Sequence, residues 1–283
     1  MKRKAFALLL LGFIAAGAYA DIEGVFGYRV GSFEVYMIVA AERDGNTNII
    51  PDADEATLRR LIPETGFSHS TNVFLIITPD RKILIDTAFG GVIYDRMREL
   101  GVETDQIDTV LLTHLHGDHI GGLHAEGRPL FPNAKIYLNA IELEYFTRTA
   151  VNEGAVAALN AYGSNVVSFD ALPPGLVFKE VLPGIRAIAN YGHTPGHTVY
   201  MVASGSSRLI IAGDFLHVAL VQFPLPDISA SFDMDQRAAA ASRRQILDFA
   251  ARNRIPIGGM HIVYPGIGNV EADGNGYRLV PAR

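Results

Sequence analysis

The sequence predicts an α/β fold of four layers, an αββα sandwich in which two mixed sheets pack face to face and helices cover the outer faces. Three observations lead to this prediction. Apolar strand-like segments alternate with helical segments in two successive rounds. Each round mixes hairpins with helices, as expected for two helix-covered sheets. Hydrophobic residues make up 49% and charged residues 19% of the 283 residues, so a large core can form.

Turn residues separate the predicted elements. Gly31-Ser32 divides an alternating segment into a hairpin, and Gly101 ends a helix. The first part of the chain contains a hairpin over 28–40, a polar connection over 43–66 with a short helix over 55–61, strands over 72–78, 82–86 and 109–113, and a helix over 93–100. The remainder contains helices over 140–149, 153–162 and 235–253, and strands over 135–138, 176–182, 185–190, 198–203, 208–212 and 255–259.

The N-terminus differs from the rest of the chain. Lys2-Arg3-Lys4 is basic, residues 5–16 are apolar, and Ala18-Tyr19-Ala20 fits the small-x-small cleavage rule. We therefore predict a signal peptide over 1–20 and a single domain over 21–283. The apolar run is shorter than the ~20 residues that span a bilayer, which disfavours an uncleaved anchor. We expect export, to the periplasm in a Gram-negative cell, without stable membrane insertion after cleavage.

Charge and cysteine content exclude several classes. The formal net charge is −6, and there is no basic patch beyond the N-terminus, which argues against nucleic acid as a partner. The chain has no cysteine, which excludes disulfides, thiolate metal sites and cysteine nucleophiles. A small-molecule substrate is the expected partner, and the sequence leaves open whether the chain forms a homodimer.

Four potential metal ligands lie within six residues. The stretch His114-x-His116-x-Asp118-His119 directly follows the apolar strand over 109–113. Imidazole nitrogens and carboxylate oxygens are ligands that Zn²⁺ binds in proteins. Chance is a poor explanation for three histidines and an aspartate at this spacing, so we predict a metal site at the end of this strand.

Three later residues are further ligand candidates. His197 lies in a glycine-rich loop, and Asp214 and His261 each follow an apolar strand. Strand ends gather at one edge of a sheet, so these residues can converge. Seven ligands exceed the needs of one tetrahedral zinc and suit two divalent metals, most simply Zn²⁺. The predicted partition assigns His114, His116 and His197 to the first metal and Asp118, His119 and His261 to the second.

Asp214 is predicted to bridge the two metals together with a water or hydroxide, acidified towards a pKa of ~7, that acts as the nucleophile. Asp118 is the candidate for the catalytic residue that takes a proton from the attacking water. Asp86 and His193 are candidates for residues that orient the ligands from behind. The other histidines, His69, His124 and His217, are expected to be ordinary core or surface residues.

These residues resemble the metallo-β-lactamase-fold hydrolases. The resemblance includes the 114–119 motif, Gly192-His193-Thr194-Pro195-Gly196-His197, Gly213-Asp214, His261 and Asp86, and it extends from about Gly27 onwards. It implies the αββα sandwich and a dinuclear, usually zinc, hydrolytic site. Segments 131–134, 221–223, 265–268 and 276–281 resemble the methyl parathion hydrolase branch, which hydrolyses organophosphate triesters and whose relatives open lactones.

The resemblance implies a metal-dependent hydrolase that acts on a lactone, an aryl ester or an organophosphate triester. One departure concerns the substrate. Organophosphate-hydrolysing members have an aromatic pocket that includes tryptophan, and this chain has no tryptophan. The aromatic side chains predicted as candidates for the pocket wall are Phe89, Tyr94, Tyr145, Phe146 and Phe223.

Other activities compete with this interpretation. A β-lactamase of the same fold usually lacks the bridging aspartate, so Asp214 argues against it. A glyoxalase-type thioesterase keeps that aspartate but normally has a further helical domain, and little chain follows His261. A flavodiiron oxidoreductase would prefer an acidic residue in place of His116. A non-catalytic metal-binding protein would not need the complete ligand set.

Overall fold

The computed structural model describes residues 22–282, and the predicted signal segment over 1–20 lies outside the described residues. Two seven-stranded sheets form the centre of this part of the chain. The first sheet and a small hairpin beside it contain β1 (Val25–Val30), β2 (Phe33–Asp44), β3 (Ser68–Ile77), β4 (Lys82–Ile85), β5 (Thr109–Leu111), β6 (His124–Ala125), β7 (Arg128–Pro129), β8 (Lys135–Asn139) and β9 (Val166–Phe169). The second sheet contains β10 (Lys179–Leu182), β11 (Ile185–Ala189), β12 (Thr198–Ser204), β13 (Ser207–Ile211), β14 (Ile257–Gly258), β15 (Ile267–Asp273) and β16 (Gly276–Pro281).

Both sheets are mixed. The first has the order β1-β2-β3-β4-β5-β8-β9, antiparallel as far as β4 and parallel from β4 to β9. The second follows chain order from β10 to β16, and its parallel pair is β13 with β14. Strands β6 and β7 form the small separate hairpin. Because β4, β5, β13 and β14 run parallel to a neighbour, the residues that follow them can share one edge of the sandwich.

Seven α-helices accompany the sheets in the described chain. They are α1 (Glu55–Leu61), α2 (Val92–Glu99), α3 (Gly117–Ile120), α4 (Ala140–Glu144), α5 (Glu153–Tyr162), α6 (Ala219–Gln222) and α7 (Gln236–Asn253). Side-chain caps define where several begin: Asp54, Asn152 and Asp235 accept hydrogen bonds from backbone N–H groups in the first turns of α1, α5 and α7. A π-helical turn, Tyr145–Thr149, continues α4.

Three apolar cores confirm the predicted four layers. The central core lies between the sheets and includes Phe74, Ile85 and Tyr200. A second core packs α2 and α5 on the outer face of the first sheet, and a third packs α7 on the outer face of the second. None of the helices within residues 22–282 has the length and apolar character needed to cross a bilayer.

The structure differs from the prediction in several elements. The terminal segment forms the antiparallel pair β15–β16, and residues 166–169 form the edge strand β9, neither of which the sequence analysis predicted. The predicted helix over 140–149 is divided into α4 and the π-helical turn. The polar connection over 43–66 does cover other elements, because Ile50 packs against Val218 and Val221.

Candidate metal centre

The strands of the two sheets end at one shared edge. His114 follows β5 of the first sheet, whereas Asp214 follows β13 of the second. Hydrogen bonds join the sheets here: Thr198 N donates to Thr113 O at 2.9 Å, and Asn72 N donates to Met260 O at 2.8 Å. The segments that contain His114–His119, His193, Asp214 and His261 are four separate stretches of chain, and they converge on a small, largely buried volume.

The first donor cluster contains His114, His116, His193 and Asp214. His193 Nε2 lies 3.0 Å from His116 Nδ1 and 3.2 Å from His114 Nε2, and the latter two atoms are 3.0 Å apart. His193 Nε2 is also 3.4 Å from Asp214 Oδ2. Nitrogens that share a tetrahedral zinc at about 2.0–2.1 Å lie about 3.3 Å apart, so this spacing fits a common cation.

This cluster corrects the predicted role of His197. The Nδ1 atom of His197 donates to Asn190 O at 3.0 Å, and its Nε2 accepts from the backbone N–H of Asp214 at 3.0 Å. Both ring nitrogens are thus used by the backbone, and burial lowers the pKa of His197 to about 3. His193, predicted only as an orienting residue, belongs to the first donor cluster in its place.

The second donor cluster contains Asp118, His119, Asp214 and His261. His261 Nε2 lies 3.0 Å from Asp214 Oδ2 and 3.7 Å from Asp118 Oδ2. His119 Nε2 lies 3.1 Å from Asp214 Oδ1 and 3.8 Å from Asp118 Oδ1. The composition of this cluster is the one predicted from the sequence.

Asp214 belongs to both clusters, and its environment fits shared cations. Its Oδ1 and the Nε2 of His119 are buried and lie 3.1 Å apart, but they do not form a hydrogen bond of good geometry, and neither has another hydrogen-bond partner within residues 22–282. A buried carboxylate oxygen and a buried imidazole nitrogen rarely stay unpaired, because each costs about 1–3 kcal/mol when unsatisfied. The donor set of imidazoles and carboxylates therefore suits two divalent ions with Asp214 between them.

Partners behind the ligands orient their rings. Asp86, as expected, accepts a hydrogen bond from His119 Nδ1 at 2.7 Å. Asp233 accepts one from His193 Nδ1 at 3.0 Å, and Ser70 O accepts one from His261 Nδ1 at 2.8 Å. Each of these three rings is thereby left with Nε2 directed at the centre, the arrangement usual for metal-bound histidines.

Burial and charge set the protonation of the ligands. Burial and the neighbouring imidazoles hold the pKa of His114 well below its usual value and lower that of His116 to about 4, so both offer a lone pair at neutral pH. Burial also lowers the pKa of His119, but Asp214 and Asp86 outweigh it and hold that pKa well above its usual value. Burial raises the pKa of Asp214, yet His119 and other imidazoles hold it well below its usual range.

Two histidines that we expected to be ordinary core or surface residues lie in the centre. His217 Nε2 is 3.3 Å from Asp214 Oδ2, and its ring stacks on His261 with centroids 5.0 Å apart. His69 also packs on His261, with a centroid distance of 4.5 Å. The position of His217, three residues after Asp214, was the only sequence signal for this placement. His124 lies on the small β6–β7 hairpin, where its Nδ1 accepts from Gly127 N.

The aromatic candidates for the pocket divide into two groups. Phe146 meets the His116 ring edge-on at 5.9 Å, Tyr145 packs on Phe146 at 5.2 Å, and Phe89 is 68% exposed beside Gly117. The prediction is wrong for Tyr94 and Phe223, because both side chains lie in the outer cores and not at the centre.

Tyr94 donates its hydroxyl to Gly122 O and packs on Phe131, and Phe223 is buried against Phe215. Two residues near the centre were not predicted: Phe232, whose ring lies 5.6 Å from His217, and Asp233 beside it. Both belong to the segment before α7, which has no strand or motif to mark it.

Comparison with known proteins adds the family. The family model of the metallo-beta-lactamase superfamily matches residues 68–258, more than half of the chain. A lactamase-like protein nscB from Arthroderma benhamiae is 36% identical over 88 residues, which cover 29% of this chain and 20% of that protein. An N-acyl homoserine lactonase from Bacillus cereus is 24% identical over 152 residues, covering 53% of this chain and 54% of the lactonase. The match thus spans between a fifth and about half of these curated relatives.

A solved structure of AidC, described as a dizinc quorum-quenching lactonase in complex with the product N-hexanoyl-L-homoserine, has a TM-score of 0.83 with 23% identity. The alignment covers 92% of this chain and 98% of AidC, so the likeness extends over both sheets and their helices. At this identity the likeness establishes the fold alone. From the matched family model and the shared architecture, this chain belongs to the metallo-beta-lactamase superfamily.

Proposed function

We propose that this chain is a hydrolase of ester-type bonds that works with two divalent metal ions, Zn²⁺ by ligand preference. The observation that carries the proposal is the position of Asp214, which two donor clusters share and whose Oδ1 is buried without a good partner. The ligands of the first ion would be His114, His116, His193 and Asp214, and those of the second Asp118, His119, His261 and Asp214.

Such a pair of ions, when bound, acidifies water and polarises an ester oxygen. The protein supplies the remaining functions. The carboxylate of Asp118 is 26% exposed, whereas the side chains of His119, Asp214 and His261 are at most 3% exposed. Asp118 therefore stands at the mouth of the centre, where it can accept the proton that the attacking water loses. His217 lies deeper in the centre, where its side chain is 3% exposed and its Nε2 is 3.3 Å from Asp214 Oδ2.

The rim of the centre favours an apolar substrate. Phe89, Phe232 and Met234 are 68%, 51% and 49% exposed, although each is near a ligand-bearing loop. Exposed apolar side chains gathered around a polar centre are typical of ligand sites, because a bound apolar group removes them from water. We therefore propose that the ester carries an acyl chain or an aryl group.

Lactones are the first substrate class within this proposal. The B. cereus relative is an N-acyl homoserine lactonase, and AidC is described as a lactonase with a similar fold. Aryl phosphotriesters are the second class, because of the proposed membership of the methyl parathion hydrolase branch. The residues that suggest this branch, such as Phe131 and the β15–β16 pair, belong to the scaffold. They therefore do not indicate which of the two substrate classes the centre accepts.

A substrate panel tests the proposal. Purified, zinc-loaded protein would be assayed with lactones, aryl esters, aryl phosphotriesters and a cephalosporin. We expect turnover of a lactone or aryl ester that is lost on chelation and in His116→Ala. A preference for the cephalosporin, or full turnover by metal-depleted His116→Ala, would contradict it.

A further inference from the structure

The carboxylate of Glu142 joins two loops that carry metal ligands. Glu142 lies on α4, is 1% exposed and is not itself in either donor cluster. Its Oε1 accepts a hydrogen bond from Leu115 N at 2.9 Å. Its Oε2 accepts from Thr194 Oγ1 at 2.8 Å and from Gly196 N at 2.9 Å. All three donors therefore belong to segments adjacent to ligands.

These segments bring the first cluster together from different sheets. Leu115 lies between His114 and His116 in the loop after β5 of the first sheet. Thr194 directly follows His193 in the loop between β11 and β12 of the second sheet. One carboxylate thus connects the two loops through hydrogen bonds from residues that neighbour the histidines.

The loop that contains Gly196 packs closely against Glu142. A side chain at position 196 would place its Cβ 2.4 Å from Glu142 N, so the glycine allows the loop to rest on α4. Two of the three donors are backbone N–H groups, which need an acceptor because they are buried. Burial raises the pKa of Glu142 to about 7, so this carboxylate is kept in the fold at a cost.

We propose that Glu142 is a positioning residue that sets the spacing of His114, His116 and His193 for the first metal ion. The inference rests on the proposed two-metal hydrolase. Asp86 has the equivalent role for the second cluster, since it accepts hydrogen bonds from Thr113 N and His119 Nδ1.

The test is Glu142→Gln, which keeps one acceptor oxygen but turns an NH₂ group towards Leu115 N or towards Thr194 Oγ1 and Gly196 N. Glu144→Gln is the matched control, because Glu144 is exposed two residues away and pairs with Arg148. Two zinc dissociation constants would be measured by competition with a chromophoric chelator at about pH 8. His116→Ala and His261→Ala would identify the first and second site, respectively.

We expect the first-site zinc affinity of Glu142→Gln to fall about 10–100-fold, the range known for residues that orient ligands, with the second site within about twofold. The visible spectrum of bound Co²⁺ should change at the first site alone. For a lactone or aryl ester, kcat should fall while KM stays within about twofold. Glu144→Gln should match the parent in every measurement.

Other outcomes separate the inference from the proposed function. A parent chain that binds fewer than two metal ions would contradict the proposed function itself. Two normal dissociation constants in Glu142→Gln, or equal weakening of both sites, would overturn the positioning role. If Glu142→Gln fails to fold, Thr194→Val removes one of the three hydrogen bonds with little change of shape. It should weaken the first site alone, and an unchanged first site would overturn the inference.

Discussion

Replacing Asp86 with asparagine should selectively weaken the second metal site. Asp86 is fully buried and accepts three hydrogen bonds, from Thr113 N at 2.8 Å, Thr113 Oγ1 at 2.7 Å and His119 Nδ1 at 2.7 Å. If the asparagine oxygen keeps the bond from Thr113 N, its NH₂ group faces the Nδ1 atom of His119. The ring must then accept at Nδ1 and carry its proton on Nε2, the atom directed at the second cluster.

The magnitude follows from this tautomer change. A protonated Nε2 cannot bind a metal, so each binding event must first reverse the tautomer against the new hydrogen bond. Loss of one orienting partner typically costs 10–100-fold in metal affinity, which corresponds to about 1.4–2.7 kcal/mol. We therefore expect the second-site dissociation constant for zinc to rise by this factor while the first-site constant stays within about twofold.

Asp233→Asn is the comparison at the first site, and there Asp233 Oδ2 also pairs with Arg243 at 3.1 Å. Asp233 accepts the hydrogen bond of His193 Nδ1 at 3.0 Å, so the same substitution there should weaken the first site instead. Both variants remove one negative charge, and zinc competition titrations measure both constants under the same conditions. If Asp86→Asn weakens the first site, or if both variants weaken the same site, the assignment of ligands to two clusters is refuted.

Three further predictions concern other residues. His197→Ala leaves Asn190 O and Asp214 N without their hydrogen-bond partner, so the free energy of unfolding should fall by about 2–4 kcal/mol in denaturant titrations. Metal analysis should still find two ions per chain. Loss of one ion would show that His197 is a ligand after all. Burial raises the pKa of Glu142 from 4.5 to about 7, so the folded chain binds the extra proton in this window and stability falls as pH rises through it. The free energies of unfolding of Glu142→Gln and of the parent would be measured in the presence of chelator. The variant's value minus the parent's should increase by about 3 kcal/mol between about pH 4.5 and about pH 8. A difference that stays constant with pH would contradict this prediction. Phe89→Ala should change stability by less than about 0.5 kcal/mol because Phe89 is largely exposed, yet raise KM for an aryl ester about fivefold; an unchanged KM would exclude it from the pocket.

The layered fold and most of the metal centre were predictable because they depend on local patterns. The His114–His119 motif follows a short apolar strand, and Asp214 and His261 follow others, so their convergence required only that strand ends share an edge. The family match and the three cores agree with the αββα prediction. The β15–β16 pair was not predicted because its buried and exposed residues do not alternate regularly, and because β15 contains Gly, Asn, Glu and Asp, which are uncommon in strands.

The sequence could not predict which of His193 and His197 faces the metal centre, because both lie in one loop. The choice depends on the path of the loop backbone. Gly192 has φ of 127°, and a side chain there would lie 2.1 Å from Ala239 N, so the chain turns sharply against α7 before His193. His197 then faces the base of its own loop, where Asn190 O accepts its hydrogen bond.

Long-range packing explains the other differences. Asp233 reaches His193 across 40 residues of sequence, from a segment whose own pattern predicts neither strand nor ligand. Tyr94 lies on α2, and its side chain turns to the outer core because Gly122 O and Phe131 are there to receive it. Such placements depend on which face of a helix meets the sheet, which the order of residues alone does not specify.

The number of divalent ions bound per chain tests the central claim most directly. The purified protein, stripped with chelator and reloaded with zinc, would be examined by native mass spectrometry beside Asp214→Ala. The arrangement of the two clusters around Asp214 predicts two ions in the parent and weakened binding of both ions in the variant. A single ion in the parent, or two tightly held ions without Asp214, would contradict the shared two-metal centre.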